Sequence, residues 1–130
     1  MSYDWTASAD EQFSRFVPFA QASRKVASIA DVRPNGACGF VLERGKSLWM
    51  EIDLELVSEE DDRAGAVGSR TPAHINCIRF HVPYAYQRGL DACLEVAVRI
   101  AGELGWDLYD EQTGEVVVPP PPRRPWWRLW

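Results

Sequence analysis

Between residues 47 and 57 the chain alternates strictly. Leu48, Met50, Ile52, Leu54 and Leu56 fall on one side, and Trp49, Glu51, Asp53, Glu55 and Val57 on the other. A period of two is that of a β-strand, and the polar second side predicts an antiparallel strand with one face in water. Residues 74–82 read as another strand, with Ile78, Phe80 and Val82 on one side and Ile75 and Cys77 on the other. Because its first half is apolar on both sides, it is expected near the centre of the sheet. Pro83 ends it, having no amide hydrogen for the ladder.

From about residue 86 to 104 the period becomes helical. Leu90, Cys93, Leu94, Ala97, Ile100, Ala101 and Leu104 form an apolar stripe, with Arg88, Asp91, Glu95, Arg99 and Glu103 opposite. Gly105 is placed to close this helix in a left-handed conformation. Upstream, Ser8-Ala9-Asp10-Glu11 has the capping-box form, and Phe13, Phe16, Val17 and Ala20 follow at helical spacing. These predict a short N-terminal helix, kinked or restarted at Pro18 and ending near Ser23.

Residues 26–32 and 37–43 are predicted strands around the turn Arg33-Pro34-Asn35-Gly36, and Arg44-Gly45-Lys46 makes a second turn. Residues 58–72 read as a loop. Residues 106–109 and 115–118 flank Asp110-Glu111-Gln112-Thr113-Gly114 as a closing hairpin. Successive strands followed by one long helix and a hairpin predict a single α+β domain over residues 1–118. Its antiparallel sheet, a meander of about four strands plus the C-terminal hairpin, should pack against the long helix and the short N-terminal one. Residues 119–130 are a separate Pro-, Arg- and Trp-rich tail.

At 130 residues the chain suffices for one core without metal or disulfide support. Charge changes the picture more. The tail holds Arg123, Arg124 and Arg128 and no acid, so residues 1–118 carry a net charge of −8 against −5 for the whole chain. Such a body is unsuited to nucleic acid, where cationic side chains supply most of the affinity, and suits a basic protein partner. Cys38, Cys77 and Cys93 lie far apart in apolar runs, which reads as buried thiols in a reducing compartment. Met1-Ser2-Tyr3-Asp4-Trp5 does not have the form of a signal peptide, and no apolar run approaches the ~20 residues a bilayer span requires. A cytoplasmic protein without stable membrane insertion is expected.

Glu51, Asp53 and Glu55 share a strand face, and Glu59, Glu60, Asp61 and Asp62 follow, giving seven carboxylates within twelve residues. Three readings compete: a solvated face, a surface for a basic partner, and a divalent-cation site. Such a density of like charge is self-repelling, which favours a role for it. No His or Lys accompanies the carboxylates at close range, as metal-assisted hydrolysis would need, so no cofactor or metal is expected.

His74 and His81, seven residues apart on one predicted strand, point to opposite faces. His81 shares a face with Arg79, the basis of an alternative enzymatic reading in which His81 lines a pocket. Nothing matches a nucleotide-binding glycine loop. Asp110 to Gly114 reads as a plain turn rather than a calcium loop.

The tail, with Arg123, Arg124, Trp126, Trp127 and Trp130, also has three readings: a strap over its own body, an intermolecular handle open to homo-oligomers, and a lipid-surface anchor for an adaptor.

The run Asn76-Cys77-Ile78-Arg79-Phe80-His81-Val82-Pro83-Tyr84, the helix after it, and Leu104-Gly105-Trp106-Asp107-Leu108-Tyr109-Asp110-Glu111-Gln112-Thr113-Gly114 resemble a loose group of small bacterial proteins of unknown function. In that group a strand ending in Pro-Tyr precedes a helix and an LGWxxxDxQTG hairpin. A Trp-rich terminus like Trp126-Trp127-Arg128-Leu129-Trp130 recurs among them. Some are suspected toxin immunity proteins, so the resemblance implies inhibition by binding rather than catalysis. The expectation is a non-catalytic protein that neutralises a cognate toxin, possessing a basic domain, through the acidic surface of Glu51, Asp53, Glu55 and Glu59 to Asp62.

Overall fold

The computed structural model describes residues 2–57, 63–64 and 72–117. In chain order these form β1 (Ser2–Ser8), β2 (Val17–Pro18), α1 (Phe19–Ala27), β3 (Val32–Pro34), β4 (Gly39–Arg44), β5 (Leu48–Val57) and β6 (Arg63–Ala64). There follow β7 (His74–Ile75), β8 (Cys77–Pro83), a 3-10 segment (Tyr84–Gly89), α2 (Leu90–Leu104) and β9 (Asp107–Asp110). The main sheet runs β3-β4-β5-β8-β1-β9 with every neighbour antiparallel, and β6 pairs with the far end of β5. Short β2 and β7 form a separate ribbon.

The fold is α+β, as the order of patterns predicts. Met50, Ile52 and Leu54 of β5, Phe40 and Leu42 of β4, Ile78, Phe80 and Val82 of β8, and Trp5 and Ala7 of β1 all join one buried cluster. Ala22 and Val26 of α1 and Cys93, Val96, Ala97, Ile100 and Ala101 of α2 close it, so both helices cover the same face. β8 lies inside the sheet, as its two-sided hydrophobicity demands. Gly105 ends α2 at φ 68°, a left-handed conformation that glycine adopts without a Cβ penalty.

The N-terminal quarter departs from the prediction. Residues 2–8 alternate as well, with Tyr3, Trp5 and Ala7 against Ser2, Asp4, Thr6 and Ser8. They form β1, inserted between β8 and β9. The capping-box motif therefore starts no helix. The Ser8 hydroxyl donates to the Asp10 carbonyl at 2.9 Å, and Asp10 Oδ1 accepts from the amides of Gln12 and Ser14 at 3.1 and 3.0 Å, closing a turn instead. The helix begins after Pro18, which fits the first turn because it has no amide hydrogen to leave unbonded. It runs through Val26 to Ala27, so the strand expected over 26–32 is reduced to β3 at the sheet edge, where Pro34 is tolerated.

The strand predicted over 74–82 is divided at Asn76. Its side chain takes a place in the ladder beside β5: Oδ1 accepts from the Val57 amide at 2.7 Å, and Nδ2 donates to the Val57 carbonyl at 2.8 Å. Nδ2 also donates to the Phe13 carbonyl at 3.1 Å, pinning the loop after β1 to the sheet. Asn76 is 1% exposed, so removing its amide strands backbone groups out of reach of water. Asn76→Ala should destabilise the protein by about 3 kcal/mol, since each unpaired buried group costs about 1–3 kcal/mol. A urea midpoint within error of wild type would show these bonds to be dispensable.

Candidate functional site on the outer face of the sheet

The face of the sheet away from the helices is built by register. Across β5 and β8 the pairs are Glu51 with His81, Asp53 with Arg79 and Glu55 with Cys77. Across β8 and β1 they are His81 with Asp4 and Arg79 with Thr6. His81 thus sits between two carboxylates on neighbouring strands. Its Nδ1 is 2.6 Å from Asp4 Oδ1 and its Nε2 is 3.8 Å from Glu51 Oε2. The Ser2 hydroxyl donates to the other Asp4 oxygen at 2.8 Å.

Arg79 makes the second node. Its Nε lies 4.0 Å from Glu55 Oε1, and one terminal nitrogen lies 3.7 Å from Glu111 Oε2. The Thr6 hydroxyl donates to Glu111 Oε1 at 2.8 Å, and the Glu111 amide donates to the Asp4 carbonyl at 3.1 Å, holding the turn after β9 against β1. Among the described residues, the five carboxylates Asp4, Glu51, Asp53, Glu55 and Glu111 gather around one guanidinium and one imidazole.

Toward β4 the chemistry becomes aromatic. Trp49 stacks on Tyr86, ring centres 6.1 Å apart, and the Arg33 guanidinium lies 5.9 Å from the Trp49 ring while pairing with Glu43 at 3.4 Å.

The sequence-predicted acids do not behave alike. Glu51 and Asp53 are half-buried on this face. Glu55 is fully buried, so it is not offered to a partner as the alternation of β5 suggests. Glu59, Glu60, Asp61 and Asp62 lie outside the described residues, as do Arg123, Arg124, Trp126, Trp127 and Trp130. His74 belongs to β7 and is exposed, on a different element from His81. Asp4, Thr6 and Glu111 escaped the sequence reading. The alternation of residues 2–8 is the signal that places the first two.

Two of these carboxylates are perturbed in opposite senses. Burial pushes Asp4 up, but the hydrogen bonds from His81 and Ser2, with the positive charge of His81 and Arg79, outweigh it and hold the group below the usual range. Burial pushes Asp53 up, and the positive charge of Arg79 and His81 opposes this only in part. The Asp53 carboxyl makes no hydrogen bond among the described residues. Burial likewise raises the Cys93 thiol to about 11, which keeps it protonated and unreactive at neutral pH.

A histidine held by an aspartate has the form of a general base. Here, however, the free ring nitrogen faces the Glu51 carboxylate rather than a nucleophile, and the nearby hydroxyls of Ser2 and Thr6 donate to carboxylates. Among the described residues, no group of three or more His, Cys, Asp or Glu could hold a metal ion, and no helix is long and apolar enough to cross a membrane. No protein-family model, curated protein or solved structure matches the chain.

The opposite shifts give opposite linkages. Asp4 is depressed in the native state, so its contribution is present above the ordinary value of 3.8 and is lost as pH falls through the native value. Asp4→Asn should therefore lower stability at pH 7, with the deficit closing below 3.8. Asp53 is raised, so its ionisation opposes folding above its native value. Asp53→Asn should raise stability at pH 7, with the gain shrinking as pH falls toward 3.8. Urea midpoints measured from pH 7 to pH 2.5 decide both. An Asp53→Asn variant less stable than wild type at pH 7 contradicts the second.

Proposed function

We propose that the chain is a non-catalytic binding protein that docks a basic protein partner on the outer face of its sheet, acting as an immunity protein that neutralises a cognate toxin. The observation that carries this reading is the excess of carboxylate over cation on rigid, central strands. Glu51 and Asp53 stand about 7 Å apart along β5, two residues of extended chain. They are only partly neutralised by Arg79 and His81 across the ladder. A half-buried acid that costs stability is retained more readily where a partner's charge relieves the cost. Trp49 and Tyr86 beside the acids supply the aromatic area that binding hot spots favour.

Charge of this kind raises the association rate and rejects wrong partners, while the shape of the surface sets residence time. The toxin-immunity assignment draws on the resemblance at residues 76–84 and 104–114, and the basic partner on the charge of this face. Cytoplasmic residence goes with the same reading.

The 2.6 Å contact of Asp4 with His81 favours a second, enzymatic reading. A hydrolase screen in which wild type and His81→Gln behave alike removes it.

The decisive experiment is co-purification of the intact chain with the product of the adjacent gene, followed by binding kinetics. Glu51→Lys with Asp53→Lys should lower the association rate by about tenfold or more at low salt, and by much less at high salt, because exposed charge is screened. Unchanged rates at low salt would exclude this face as the docking surface.

A further inference from the structure

Beside the charged network, a groove of about 280 Å³ opens over the β1–β9 pair. Thr6, Ser8 and Tyr109 form its floor, Glu11 and Phe13 one wall, and Asp110, Glu111 and Gly114 the other. Its lining contains three carboxylates, two aromatic rings and no Lys, Arg or His. Burial and the negative charges of Asp107, Glu11 and Asp10 raise the Tyr109 hydroxyl, a sign that the local potential is negative.

Both walls are fixed before any ligand arrives. On one side Asp10 closes a turn on Gln12 and Ser14, and the Phe13 carbonyl is held by Asn76. Phe13 itself adopts φ 54°, a left-handed conformation that a phenylalanine rarely keeps without such ties. On the other side the Gly114 amide donates to the Asp110 carbonyl at 2.7 Å, and Asp110 Oδ1 accepts from the Gln112 amide at 2.8 Å. Glu111 is oriented by Thr6. Glu11 is exposed and has no hydrogen bond or ion pair among the described residues.

The volume lies just under the roughly 300–1,000 Å³ of small-molecule sites, which suits one long side chain better than a nucleotide or cofactor. A lining of two aromatic rings and three carboxylates matches a guanidinium more closely than an ammonium. The guanidinium is planar, weakly hydrated, stacks on rings and forks onto carboxylate oxygens. We propose that this groove is the specificity pocket of the outer face and takes an arginine side chain of the partner, its methylenes against Phe13 and Tyr109 and its guanidinium between Glu11 and Glu111. The inference rests on the protein-partner reading above, but it is tested without the partner.

The test is an amide NMR titration of the full chain with N-acetyl-arginine methylamide, with the citrulline analogue as neutral isostere and the lysine analogue as a second cation. The arginine amide should give saturable shifts at Phe13, Tyr109, Glu111 and Gly114 with a midpoint of about 1 mM, the scale of a single side chain. Citrulline should bind about tenfold more weakly, and Glu11→Gln, which breaks no internal bond, should weaken arginine binding several-fold. Equal shifts from arginine and citrulline, equal affinity for the lysine analogue, or shifts centred elsewhere would overturn the proposal. The two readings fail separately. A partner that binds Glu11→Gln and Glu111→Gln as it binds wild type removes the pocket and leaves the docking face. Arginine binding without any protein partner does the reverse.

Discussion

β1 hydrogen-bonds to β8 along one edge and to β9 along the other, and the polar face of the sheet exists only because of that double pairing. Asp4 reaches His81, and Thr6 reaches Glu111, because β1 places them opposite β8 and β9 in fixed register. A slip of one residue would exchange these groups for Trp5 and Ala7, exposing core and burying charge. The inner alternation of Tyr3, Trp5 and Ala7 penalises that slip, so hydrophobic packing against α2 sets the geometry of a polar network on the other side. β1 pairs with strands some seventy to one hundred residues further along the chain, so the network rests on long-range contacts.

Within the network, position along the strand decides what each acid does. Glu55 is buried beside Arg79, its Oε1 4.0 Å from the guanidinium Nε. Asp53, two residues back, has Arg79 and His81 nearby but no hydrogen bond to its carboxyl among the described residues, and that carboxyl is raised. Glu51 is half in water against His81. One strand therefore carries a gradient from structural carboxylate to presented carboxylate, and a row of acids in sequence is not a uniform surface.

The strand of residues 48–57 is legible because its residue types alternate and its burial follows them from Leu48 to Leu54, and α2 because its stripe ends in a glycine at the required left-handed position. β1 alternates just as clearly over seven residues, but the overlapping Ser8-to-Glu11 motif offers a competing local structure, and only pairing on both edges decides between them. The motif's side chains do not make the capping-box bonds: Ser8 donates to the Asp10 carbonyl and Asp10 accepts from the Gln12 and Ser14 amides, while Glu11 makes no hydrogen bond among the described residues. They close a turn rather than a helix because Phe13 turns left-handed and its carbonyl goes to Asn76. Asn76 in a strand pattern carries no sequence signal that its amide will replace a backbone pair. The partners of His81 and Arg79 could be named only once β1 was placed, which is why half of the candidate site was invisible along the chain.

The same tie that hid the site from sequence reading shapes the groove. Asn76 joins β5, β8 and the loop after β1 through a single amide group, so the Phe13 wall is held by the sheet that carries Glu51 and Asp53. Glu111 belongs to both features: one oxygen accepts from Thr6 on the groove floor, and the other lies 3.7 Å from Arg79 on the charged face. A cation drawn toward Glu111 from the groove side competes with Arg79 for the same carboxylate. As Arg79 is released from Glu111, its charge is freer to favour Glu55 and Asp53 across the ladder. A cation in the groove and the charge balance of the outer face would thus be coupled through one side chain, and such a coupling is reciprocal by thermodynamic necessity.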